Sequence, residues 1–133
     1  MNFTYPKSEK LKSKKTIDLL FSKGKSVSKY PLRLVYIECD FDTAKSKESE
    51  TKQKIKMGVS VSKKYFKRAV DRNYFKRLLR EAYRLNKHLL IDHLEKPYAF
   101  MFFYQSNDRL SYQEIETKTI QLFEKFVVEI KKE

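Results

Sequence analysis

The spacing of apolar residues changes several times along the chain, and each change marks an element. From Ile55 to Ser62 the run IKMGVSVS alternates, with Ile55, Met57, Val59 and Val61 on one side and Lys56, Gly58, Ser60 and Ser62 on the other. That period of two predicts a half-buried strand, and its small, polar second side leaves room for a ligand to approach the backbone. Leu32 to Glu38, preceded by Pro31, has strand composition. Leu32, Leu34 and Tyr36 share one face and Arg33, Val35 and Ile37 the other, so one face carries a charge. Tyr98 to Tyr104, YAFMFFY after Pro97, is almost wholly apolar, which predicts a strand covered on both sides.

Elsewhere the period is helical. Ile17, Leu20 and Phe21 recur at i, i+3 and i+4, with Ser13 placed as N-cap and Gly24 as the stop after the last turn. On a wheel of 100° per residue, Tyr74, Leu85, Leu78, Ala82, Phe75 and Leu79 fall within roughly 140° of one another. Arg72, Lys76, Arg80, Asn73, Arg84 and Arg77 fill roughly 140° of the opposite side. Burial of the first arc and hydration of the second is the expectation. A short amphipathic piece, HLLIDHLE, follows. Ser111 and Glu114 then form a capping box that opens a last helix through Ile115, Leu122, Phe123, Phe126, Val127 and Ile130.

The order is helix, strand, strand, helix, strand, helix, with a further short strand expected near residues 25 to 31. No internal repeat is present. The economical architecture is α+β, a single-domain sandwich of one mainly antiparallel sheet with packed helices, spanning residues 1–133. Met1 to Lys12 reads as a flexible basic arm, and residues 40–54, DFDTAKSKESETKQK, as an exposed polar loop.

Composition narrows the partner. The 133 residues carry 30 Lys or Arg against 17 acids, a net charge of +13, which favours a polyanion, either nucleic acid or an acidic membrane surface. The stretch from Ser62 to Arg84 concentrates that charge: nine Lys or Arg against two acids. Solvated helix faces ordinarily mix signs, whereas a row of guanidinium forks suits phosphate oxygens. The membrane is the weaker alternative, because the apolar residues lie away from the charges, as in a core helix. There is no run of 18 apolar residues and no signal-peptide stretch, so a cytoplasmic protein is expected.

Classical catalytic groupings are lacking. Cys39 is alone, which excludes an internal disulfide and a cysteine metal site, and it is expected at a strand end as a small hydrophobe. His88 and His93, with Asp92 between, read as a surface helix end rather than a metal pair. No paired carboxylates and no Ser/His or Cys/His arrangement stand out.

The residues Val61-Ser62-Lys63-Lys64, Ala69-Val70, Arg72-Asn73, Lys76-Arg77, Arg80-Glu81 and Tyr83 resemble, in order, the signature of the bacterial ribonuclease P protein component. LKSKKTIDLLFSKGKSVSKYPLRLVYI is similar to that family's first helix, Gly turn and first long strand, and the C-terminal strand and helix match in pattern. The resemblance implies a ribosomal-protein-S5-domain-2-like fold with a left-handed βαβ crossover, against the usual hand. It implies a non-catalytic subunit that binds a catalytic RNA and the 5′ leader of precursor tRNA. RNA-held Mg²⁺ would perform the hydrolysis, and no protein partner is obligatory.

By this resemblance Lys63, Lys64, Arg68, Arg72, Asn73, Lys76, Arg77, Arg80 and Arg84 would lie against the catalytic RNA, with no catalytic and no metal-binding residue in the protein. A leader cleft between the first helix and the sheet would use Ile17, Phe21, Arg33 and Val35. Core burial is the competing explanation for Ile17 and Phe21, and a one-residue slip in register would substitute Tyr36 for Val35. Tyr74 departs from the family, which usually has Arg at that place. Charge and size fit a ribosomal or RNA-chaperone-like protein equally well, and a nuclease acting without RNA is a third possibility.

Overall fold

Strand alternation sorts the sheet into two faces of unequal size. The computed structural model describes residues 11, 14–38, 55–94 and 96–131. Its elements are α1 (Lys14–Lys23), β1 (Lys25–Lys29), β2 (Leu32–Glu38), β3 (Ile55–Val61), α2 (Ala69–Asn86), α3 (His88–Ile91), β4 (Tyr98–Tyr104) and α4 (Tyr112–Lys131). The short strand expected near residues 25 to 31 is β1. Cys39, Ser13 and the polar loop 40–54 lie outside the described residues, as does the basic arm except Leu11.

The four strands form one sheet in the order β1-β2-β4-β3. β1 pairs antiparallel with β2, β2 antiparallel with β4, and β3 parallel with β4. A parallel neighbour cannot be reached by a tight hairpin, and the chain crosses from β3 to β4 through α2 and α3. The mainly antiparallel α+β sandwich read from the pattern is therefore the observed fold.

One face carries Val27, Leu32, Leu34, Tyr36, Ile55, Met57, Val61, Phe100, Phe102 and Tyr104, packed under α2, α3 and α4 in the larger core. Phe126 of α4 presents its ring at steep angles to three strand aromatics, Tyr36 at 4.7 Å, Phe100 at 5.1 Å and Tyr98 at 5.6 Å. Such edge-to-face arrangements add to the burial gain of about 1.5–3 kcal/mol per large apolar side chain. The capping box forms as the sequence predicts: Ser111 N–H donates to Glu114 Oε1 at 3.0 Å, and Glu114 N–H donates to Ser111 Oγ at 3.2 Å.

Among the described residues, α1 and Leu11 cover the other face. Leu20, Val35, Ala99 and Met101 are buried there, with Ile17, Ile37, Phe103 and Leu11 at the margin. β4 is thus covered on both sides, as its composition predicts. The polar side of β3 is less open than the alternation suggests. A Cβ at Gly58 would lie 3.0 Å from Met101 Cε and 3.4 Å from Leu11 Cβ, and Leu11 N–H donates to Met57 O at 3.1 Å. Met101 and Leu11 take the room that the missing side chain leaves.

Gly24 ends α1 for a steric reason. Its φ is not positive, so it is no left-handed cap. A Cβ there would sit 2.4 Å from Leu20 O and 2.9 Å from Val35 Cγ1, and the backbone oxygen cannot yield. Gly24→Ala should therefore lift α1 from β2 and cost about 1–3 kcal/mol of stability, read by urea denaturation. An unchanged midpoint would show that the turn re-forms without strain.

Candidate nucleic-acid interface

The link from β3 to α2 is a basic loop held by rings and carbonyl contacts. Ser62 Oγ accepts from Lys64 N–H at 3.0 Å, and Ser62 O accepts from the N–H groups of Tyr65 and Phe66. Phe66 is buried and stacks on Phe75 of α2, centroids 4.7 Å apart and planes 19° apart. Arg72 Nη1 then donates to Phe66 O at 3.0 Å and Lys67 O at 2.8 Å. These contacts fix the loop that carries exposed Lys63, Lys64, Lys67 and Arg68.

On α2 the buried residues are Phe75, Leu79, Ala82, Tyr83 and Asn86, a stripe turned about 60° from the centre of the predicted apolar arc. This setting corrects three expectations. Tyr74, placed by the wheel on the apolar side, is 44% exposed. Arg72, expected in water, is half-buried and satisfies backbone carbonyls. Arg84 is paired with Glu81 through both its Nη2 and its Nε. That pair holds the Glu81 carboxyl below its ordinary range, with the hydrogen bond from Arg84 as the main cause. Nearby, burial together with Glu116 and Glu81 pushes the Tyr112 hydroxyl up to about 12.

Asn73, Arg77 and Arg80 are exposed and Lys76 is half-buried. Usable cations are therefore concentrated over the loop and the first three turns of α2. Arg109, which sequence reasoning missed, joins them from the β4–α4 loop. Its guanidinium lies 5.2 Å from the Phe75 ring centroid and 5.8 Å from that of Phe66, and pairs with Asp71 at 3.3 Å. No periodicity marks a lone loop arginine, so only contact in three dimensions reveals it.

The second surface lies on the α1 side of the sheet. Register places Ser28, Arg33, Phe103 and Ser60 in one row across all four strands. Phe21 is 62% exposed, with its ring 6.0 Å from that of Phe103. Arg33 is exposed, and its Nη2 donates to Ser26 Oγ at 3.4 Å. Of the predicted cleft residues, Phe21 and Arg33 are exposed on this face, and each neighbours Phe103, the first by ring contact and the second by strand register. Ile17 is half-buried, and Val35, at 6% exposure, is floor beneath α1. Tyr36 faces the opposite side against Phe126, so the register has not slipped. Phe103, Ser28 and Ser60 were missed, although the alternation of β4 already put Phe103 on the face of Met101.

Among the described residues, no group of three or more His, Cys, Asp or Glu is placed to hold a metal ion. His88 is half-buried at the start of α3 and His93 is exposed beyond its end. Also among the described residues, no helix is long and apolar enough to cross a membrane.

Fold and surface together define a small basic α+β protein with a fixed cationic loop and helix. The family model for ribonuclease P matches residues 5–127. A ribonuclease P protein component from Porphyromonas gingivalis is 45% identical over 111 residues, covering 81% of this chain and 74% of that protein. One from Clostridium botulinum is 36% identical over 124 residues, covering 90% and 95%. The solved RNase P protein of Staphylococcus aureus superposes with a TM-score of 0.67 at 19% identity, covering 89% of this chain and 94% of that one. That of Thermotoga maritima gives 0.65 at 20% identity, covering 88% and 96%. The chain belongs to the ribonuclease P protein family. Membership makes it the protein component of a ribonucleoprotein endonuclease of tRNA processing, with an RNA partner in that complex.

The two arginines at opposite ends of the basic arc, Arg72 half-buried and Arg77 exposed, should separate by assay. Arg72→Ala is expected to lower stability by about 1–2 kcal/mol, because two loop carbonyls lose their donor. Arg77→Ala should leave stability within about 0.5 kcal/mol yet flatten the salt dependence of RNA binding by about one unit of slope. Urea melts and salt titrations of labelled RNA check both.

Proposed function

We propose that the chain binds the catalytic RNA of ribonuclease P through its basic loop and helix α2, and the 5′ leader of precursor tRNA through the face beside α1. The observation that carries this reading is the adjacency of the two surfaces. Ser60 closes the row on the sheet, and Ser62 opens the cationic loop two residues later. Lys63, Lys64, Arg68, Asn73, Lys76, Arg77 and Arg80 supply phosphate contacts, Arg72 chiefly positions the loop, and Arg84 contributes least because Glu81 neutralises it. Phe21 and Phe103 offer rings to unpaired bases without demanding a sequence, with Arg33 for the backbone.

In this reading the reaction is Mg²⁺-dependent endonucleolytic removal of the leader, and the RNA carries the chemistry. The exposed donors of the loop and helix are ammonium and guanidinium groups, whereas Mg²⁺ takes oxygen ligands. The ions would be held by RNA phosphates. The protein lowers the repulsion between phosphates that RNA folding and ion retention must overcome. The expected setting is the cytoplasm.

Reconstitution with a bacterial ribonuclease P RNA at low Mg²⁺ tests this directly. Added protein should stimulate cleavage of precursor tRNA, and the protein alone should cut nothing. Tight binding to ribosomal RNA without stimulation would instead favour a ribosomal or RNA-chaperone-like role. In the same assay, Phe21→Ala should lose preference for leader-bearing over leaderless tRNA while retaining its fold. An unchanged preference would remove Phe21 from the leader face.

A further inference from the structure

The rotation of α2 leaves an apolar strip among its cations. Val70 is 62% and Tyr74 44% exposed, and as i and i+4 residues they are neighbours on the helix surface. One turn further on, Leu78 is half-buried and packs against the larger core. Arg77 is exposed three residues beyond Tyr74, and Asn73 is exposed beside it. The Tyr74 ring is also held in place. It stands nearly perpendicular to the buried Phe75 ring, centroids 5.0 Å apart and planes at 84°, so one part of it is supported while the rest faces solvent.

We propose that Tyr74, with Val70 beneath it, is a stacking platform for an unpaired base of the RNA that α2 binds. The inference rests on the reading of α2 as an RNA surface and adds a contact of different chemistry to it. Lysine and arginine hold phosphate and do not need a base; a supported, half-exposed ring beside Arg77, on a helix that also carries Lys76 and Arg80, holds a base whose phosphates those cations neutralise. Tyrosine suits this role because it offers a wide apolar face and loses little rotamer freedom when fixed. Charge decides against a second copy of the chain as the occupant. Two such faces brought together would oppose Arg77, Lys76 and Arg80 with their own kind, in a protein of net charge +13.

The chain has no Trp, so Tyr74→Trp installs a single indole reporter at the site. Titration with a bacterial ribonuclease P RNA transcript should quench its fluorescence in step with binding. Heparin, a polyanion without bases, should bind the same cations and leave the emission nearly unchanged. Tyr74→Phe should bind RNA like the parent, and Tyr74→Leu and Tyr74→Ala should bind about fivefold or more weakly, with melting temperatures lowered by only a few degrees because the half-exposed ring gives up little beyond its edge contact with Phe75.

Any one of five results would overturn the proposal. RNA binding seen by anisotropy without indole quenching, or equal quenching by heparin, removes the stacked base and leaves the basic surface standing. Leu and Ala variants that bind like the parent do the same. A concentration-dependent dimer of the free protein that Tyr74→Ala abolishes would make the strip a self-contact. If labelled RNA fails to bind the parent at all, the RNA surface itself falls and the stacking platform falls with it.

Discussion

A stack of rings between α2 and the sheet sets the angle at which every cation on that helix points. Phe75 lies 4.7 Å from Phe66 and 4.8 Å from Tyr104 of β4, and Phe66 and Tyr104 are themselves 6.0 Å apart. With Leu79, Ala82 and Tyr83 fully buried along the same stripe, α2 cannot roll without opening the larger core. Close-packed interiors resist such motion because small displacements forfeit many dispersion contacts at once. The basic residues are thus carried on a rigid element. Their ordering cost is met by hydrophobic packing rather than by the contacts they make with a ligand.

Charge on this frame is distributed unevenly. At its C-terminal half α2 joins α4 where Asn86 Nδ2 donates to Glu116 Oε2 at 3.1 Å, and within α2 itself Arg84 pairs with Glu81. At its N-terminal end cations crowd where the helix dipole is also positive, an arrangement that disfavours the helix on its own. Asp71 is the one acid in the first turn, and Arg109 already engages it. The free protein therefore retains a local repulsion that an anion would relieve, and this excess is a more specific mark of a phosphate surface than net charge.

Much of the fold was legible because burial follows period. The alternation in β3, the apolar run of β4 and the Ser111–Glu114 box each depend on residues close in sequence, and each formed where expected. Strand β1 was legible only as a short strand near residues 25 to 31, without pairing or bounds, because KSVSK has only Val27 to bury, too short a signal to register as alternation. The setting of α2 was misjudged because Tyr83 lies on the basic side of the wheel yet is buried, while Tyr74 lies on the apolar side yet is exposed. A wheel ranks residues by polarity, whereas the core selects those that fit between Phe66 and α4. Arg72 shows the same limit, since nothing in its spacing reveals that two loop carbonyls require a donor.

The sheet face and the basic loop are coupled by chain geometry as well as by proximity. Two residues of extended chain span about 7 Å, so the Ser60 end of the row and the start of the loop at Ser62 cannot move independently. On the same strand, Val61 is buried in the larger core, which anchors the junction from the opposite side. An RNA strand lying on both surfaces would meet a fixed spacing, whatever its sequence. On the proposed reading, recognition would then rest on spacing and charge, with rings that accept any base, and would not depend on the sequence of the RNA.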